Sequence, residues 1–180
     1  MKTLNQYINE KLKVSKNQNQ YNYCPKTREE LDDLLYQLLE ERGCEADLND
    51  IDVSNITDMS ELFYNMEDFN GDISDWDVSN VTNMKYMFYY CGSFEGKCLE
   101  NWDVSNVTDT HWMFARCESF EGKGLENWDV SNIIDMENMF FNCKKFNTDI
   151  SGWDVLNVKD YYHIFYGCPI EDEYKPKFKK

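Results

Sequence analysis

The sequence predicts an α/β solenoid: five stacked strand-helix coils of 25 to 26 residues with an N-terminal helical cap. Two observations carry that class. The string Trp-Asp-Val-Ser-Asn recurs from Trp76, Trp102 and Trp128, returns as Trp-Asp-Val-Leu-Asn from Trp153, and is preceded by Ile-Asp-Val-Ser-Asn from Ile51, at spacings of 25, 26, 26 and 25 residues. Within each unit the apolar period then changes. Trp76 and Val78 are two apart, the period of a strand, whereas Val81, Met84, Met87, Phe88 and Cys91 follow at the spacing of one helical face. The extra residue of the longer units falls between Phe94 and Trp102 and between Phe120 and Trp128, which places a turn there. The chain accordingly divides into a helical region and cap at 1–46, a repeat solenoid at 47–168 and a C-terminal tail at 169–180.

The first region holds a short amphipathic stretch, Leu4, Tyr7, Ile8 and Leu12, then a polar segment from Ser15 to Gln20. Thr27 and Glu30 form a capping box after Pro25. The helix they open carries Leu31, Leu34, Leu35, Leu38 and Leu39 as one stripe and closes at Gly43. Such a stripe covers the exposed face of the first coil. In the repeats the apolar columns are nearly constant: Leu48, Ile73, Leu99, Leu125 and Ile150; Ile51 and the four tryptophans; Val53, Val78, Val104, Val130 and Val155. Asn55, Asn80, Asn106, Asn132 and Asn157 precede Asp58, Asn83, Asp109, Asp135 and Asp160 by three residues. That spacing suits a helix cap with an acid at the third helical position, or an asparagine column bonded to the neighbouring backbone. The last coil breaks off at Cys168-Pro169. Lys175, Lys177, Lys179 and Lys180 then form a solvated terminus or fold back on the acidic body.

The run Phe-Asn-Gly-Asp-Ile-Ser-Asp-Trp-Asp-Val-Ser-Asn-Val-Thr-Asn-Met-Lys-Tyr-Met-Phe, from Phe69 to Phe88, resembles the BspA-like bacterial surface-protein repeat, a relative of leucine-rich repeats. The likeness extends from Asp47 to about Cys168. It implies a solenoid used for protein binding or adhesion, with no catalytic residues to carry over. No signal peptide, lipobox cysteine or wall anchor is seen, so a cytoplasmic location is expected and an adhesion-type surface role without its export signal comes second.

Composition narrows the partners. Thirty-four acidic against eighteen basic residues give a formal charge of -16, which disfavours direct contact with a nucleic-acid backbone and suits a basic protein. A hydrophobic fraction of 42% and an aromatic fraction of 16% provide for a folded core. No apolar run is long enough for a membrane span. Of seven cysteines, Cys91, Cys117, Cys143 and Cys168 share an inward column and read as small buried thiols; Cys24, Cys44 and Cys98 lie off it. No pair has a zinc spacing. The column Asp52, Asp77, Asp103, Asp129 and Asp154 needs something to offset like-charge repulsion: backbone and hydroxyl donors, or calcium, although the glycine-rich calcium repeat is absent. No metal or cofactor is expected. His111 and His163 have no nucleophile or carboxylate at catalytic spacing, so no enzyme is expected either.

Positions that break the repeat carry the candidate site. Trp112 stands in a column otherwise filled by Glu61, Tyr86, Asn138 and His163, on the face read as turned from the core. Beside it run Tyr64, Tyr89, Phe141 and Tyr166, with Tyr90 in another column and His111 and Tyr162 in a third. Stacking merges these into an aromatic strip. The expected role is a non-enzymatic protein-protein interaction module binding through Tyr86, Tyr89, Tyr90, His111, Trp112, Phe141 and Tyr162. A polyanionic, nucleic-acid-mimicking inhibitor of a basic partner is the alternative from another class, and self-association through the C-terminal coil is a third.

Overall fold

The structure, a computed structural model, describes residues 21–97 and 99–179. The amphipathic stretch Leu4 to Leu12, the polar segment to Gln20, Cys98 and Lys180 lie outside the described residues. The predicted helix is present. α1 (Arg28–Arg42) starts at Thr27, whose hydroxyl accepts from the Glu30 N–H, and ends at Gly43 with φ 84°. Its Leu31, Leu34, Leu35 and Leu38 are buried in one core with the first repeat, and Arg42 pairs with Asp50 at 2.9 Å.

The α/β solenoid class is overturned. Among the described residues α1 is the one α-helix; the remainder comprises three single 3-10 turns, Leu99–Asn101, Leu125–Asn127 and Asp172–Tyr174, and isolated parallel bridges without a sheet. None of the five units contains a strand followed by a helix. Each is a coil built of consecutive turns, and the backbone bonding shows why.

In the coil led by Ile51, the N–H groups of Met59, Glu61, Phe63 and Asn65 do not point along a helix. They donate to the carbonyls of Asn83, Lys85, Met87 and Tyr89 in the next coil, at 2.8 to 2.9 Å. The intervening N–H groups of Leu62, Tyr64 and Met66 donate three residues back, to Met59, Glu61 and Phe63. The same alternation recurs from Met84, Thr110 and Met136. Alternate donors therefore tie neighbouring coils and close local turns, so buried backbone is satisfied with no helix in the coils. The alternation requires the peptide planes to flip. Glu61, Tyr86, Trp112, Asn138 and His163 have φ between 52° and 60°, and Asn65, Tyr90, Arg116, Asn142 and Gly167 between 58° and 76°. Two left-handed residues per coil exclude an α-helix.

The core follows from this stacking. Phe63, Phe88, Phe114, Phe140 and Phe165 stack from coil to coil with ring centroids 5.4 to 5.9 Å apart and planes within 8° of parallel. A second file, Phe69, Phe94, Phe120 and Phe146, lies against the first. The indole N–H groups of Trp76, Trp102, Trp128 and Trp153 donate one coil back, to the carbonyls of Leu48, Ile73, Leu99 and Leu125. The thiols of Cys91, Cys117 and Cys143 do likewise to Phe63, Phe88 and Phe114. Burial pushes the Cys91 thiol up to about 12.

The polar columns resolve the two readings left open. Asn80, Asn106, Asn132 and Asn157 are not helix caps: each donates its amide to a serine carbonyl of the preceding coil at 2.7 to 2.9 Å. Asp58, Asn83, Asp109, Asp135 and Asp160 form the file of parallel bridges, and each accepts from an N–H two residues on. The Asp52 column is held the same way, by the N–H groups of Ser54, Ser79, Ser105, Ser131 and Leu156. The tail returns over the last coil, where Phe178 stacks on Tyr161 at 4.2 Å and Ile150 donates to the Tyr174 carbonyl.

Candidate functional site

The two left-handed columns differ in composition along the stack, and the difference locates the site. Left-handed backbone favours Gly and Asn, and costs other residues roughly 1–2 kcal/mol each. The columns use Asn or Gly at Asn65, Asn138, Asn142 and Gly167, with Glu61 and His163 at the two ends of the first. In the second and third coils both positions instead carry large side chains: Tyr86, Tyr90, Trp112 and Arg116. Bulk has been placed where the backbone asks for its absence.

Those side chains meet. Tyr64 and Tyr89 stack at 5.0 Å, Tyr86 stands edge-on to both at 78° and 82°, and Trp112 lies 6.1 Å from Tyr86 with planes 24° apart. The regular column beside them runs Tyr64, Tyr89, Ala115, Phe141 and Tyr166, so that in the third coil a ring is missing. Trp112 fills that gap from the neighbouring column: its centroid is 5.6 Å from Tyr89 and 5.4 Å from Phe141. Ala115 is completely covered. Glu61, Tyr64, Tyr86, Tyr89 and Trp112 line a surface cavity of about 350 Å³.

A polar network closes one side. The Tyr86 hydroxyl lies 3.3 Å from His111 Nε2, and His111 Nδ1 is 3.6 Å from Asp135 and 3.4 Å from Glu137. Burial first, then neighbours including Tyr64, Glu137 and Glu61, raises the Tyr86 phenol above its ordinary range. Two cations of the chain already rest on this face, Lys85 at 5.4 Å from the Tyr86 ring and Arg116 at 5.6 Å from Tyr90.

The structure brings Tyr86, Tyr89, Tyr90, His111, Trp112 and Phe141 into one half-buried cluster. Tyr162 is not part of it. It is 62% exposed and stacks on His163 at the far end of the strip, with Glu137 between it and His111 in their shared column. The outward helix face assigned to these residues does not exist; turns present them. Glu61 and Tyr64 belong to the site and were not among the candidates. The signal for them was available, since both stand one coil before Tyr86 and Tyr89 in the same columns. Among the described residues no group of three or more His, Cys, Asp or Glu is placed to hold a metal ion, and no helix is long and apolar enough to cross a membrane.

The family described as "Mycoplasma protein of unknown function, DUF285" matches residues 32–123 and 93–173. The chain belongs to the DUF285 family. The overlapping matches begin within α1 and run through the stacked coils, so the DUF285 unit includes the aromatic site. At family level this is consistent with the BspA-like resemblance. No curated protein and no solved structure matches this DUF285 chain.

Proposed function

We propose that this DUF285 protein is a non-enzymatic interaction module whose 25- to 26-residue unit is a BspA-type repeat, and that it binds a protein partner through the aromatic face of its second and third coils. The observation that carries the reading is the exchange of Asn and Gly for Tyr86, Tyr90, Trp112 and Arg116 at left-handed positions. The backbone favours small residues there, and the large side chains that stand in their place gather on one surface of the molecule. Half-buried aromatic side chains with adjacent charge are the usual anchors of protein interfaces.

The test is a partner-binding assay with Trp112→Asn, which suits the backbone and removes the ring. Binding lost with folding intact supports the face; binding unchanged removes it. Salt separates the polyanionic alternative. A complex held by carboxylate rows dissociates between low and moderate salt, whereas one anchored on Trp112 persists.

A further inference from the structure

The geometry points to a cage for a lysine ammonium: Glu61 with the rings of Tyr64, Tyr86, Tyr89 and Trp112 receives a lysine side chain from a basic protein partner. This rests on the reading of the aromatic face as an interface and names what that face takes.

Three features specify the ligand. The rings meet at right angles, Tyr86 against Tyr64 at 78° and against Tyr89 at 82°, so π faces and edges converge on one cavity from different directions. A compact ammonium is attracted by several such faces together, and the chain's own Lys85 ammonium already lies 5.4 Å from the Tyr86 ring, so a wall of the cavity takes that group. Glu61 supplies a carboxylate to the lining, and among the described residues it makes no salt bridge. The chain as a whole is acidic at -16, which steers a basic partner toward it.

The layout explains how the cavity arises. Glu61, Tyr86 and Trp112 are successive members of one left-handed column, and Tyr64, Tyr89 and Ala115 of its neighbour. The block of six has a carboxylate at one corner and a methyl at the opposite one. Because Ala115 is small, Trp112 stands between Tyr89 and Phe141, 5.6 and 5.4 Å from their rings, and walls the cavity. The strip then goes on through Phe141 and Tyr166, stacked at 5.2 Å, which offers an apolar track for residues flanking the lysine. That continuation favours a peptide chain over a free small amine.

The test uses the full-length chain, labelled for nuclear magnetic resonance and titrated with acetyl-Leu-Lys-Leu-amide and with the same peptide carrying norleucine or Nε-acetyl-lysine. The expected result is saturable shifts of the Trp112 indole and the Tyr64 and Tyr86 rings, at least about tenfold tighter for lysine than for either neutral peptide. Glu61→Gln weakens binding several-fold without changing the melting temperature, and Trp112→Asn abolishes it. Tetramethylammonium chloride, tested alone, binds more weakly than the lysine peptide. Equal binding of the norleucine peptide, absence of shifts at Trp112, or tighter binding of tetramethylammonium overturns the cage. If a native partner is lost on Trp112→Asn but indifferent to Glu61→Gln, the cage fails while the interaction face stands. Indifference to both variants removes the face itself.

Discussion

Two aromatic files run side by side along this molecule, one residue apart in sequence. Phe63, Phe88, Phe114, Phe140 and Phe165 form the inner file; Tyr64, Tyr89, Phe141 and Tyr166, joined by Trp112, form the outer one. The inner rings are nearly parallel and, through Phe140, completely buried, with no break in the series. The outer rings are part exposed, Tyr64 at 46% and Tyr166 at 58%, and the file skips its own column at Ala115. Uniform spacing is what coil stacking enforces where packing is tight. Departure from it is tolerated on the open side, and that is where the cavity forms.

The largest test of the contrast is Phe114→Ala. Removing a fully buried ring with stacked neighbours on both sides costs about 3–5 kcal/mol in denaturant unfolding. A loss below about 1 kcal/mol would show that the inner file does not hold the coils together. Asn106→Ala comes next, at about 1 kcal/mol, since it removes one amide bond between coils to the Ser79 carbonyl. Measured beside Phe114→Ala, it ranks polar clamps against ring stacking.

Acidification acts on the polar columns. Asp52 is raised by burial but held lower overall by the hydroxyl and N–H of Ser54, and Asp129 is lowered by Ser131. Their folded pKa values lie below the unfolded ones, so the unfolded chain binds more protons near pH 4. The stability they contribute is present above about pH 5 and is lost as pH falls through the folded values. Unfolding titrations across that range should show the decline, with a flatter slope in Ser54→Ala.

Trp112→Asn sharpens the comparison by having little effect on stability. Lost ring contacts and relieved left-handed backbone nearly cancel, to within about 1 kcal/mol. A large destabilisation would return Trp112 to the core. Pairing it with Ala115→Tyr restores a regular outer file; the melting temperature should hold while the cavity closes. Smallest of all, iodoacetamide on the native protein should label exposed Cys44 and spare Cys91, Cys117 and Cys143 until unfolding, read by mass spectrometry.

The inward columns were legible for a reason that also explains the error in fold class. Val81, Met84, Met87, Phe88 and Cys91 are all completely buried, as a helical face requires. Consecutive turns closed three residues back leave almost the same apolar spacing, so the period identifies the buried side without identifying the backbone. Asn65, Asn138, Asn142 and Gly167 were hints of left-handed backbone, masked by the tyrosines, tryptophan and arginine in the same columns. The candidate site was legible as a set of off-template residues. Its cavity was not, because it depends on Trp112 crossing from one column to the next.

By itself the sequence determined the repeat spacing, the buried columns and the N-terminal helix, because these follow from local spacing and from side chains that recur in register. Only the tertiary structure decided where the backbone hydrogen bonds go. An isolated unit with these spacings can close as a helix; a stacked one sends alternate N–H groups to its neighbour, and that exchange between coils turns predicted strands and helices into turns and lifts Tyr86 and Trp112 onto a shared face.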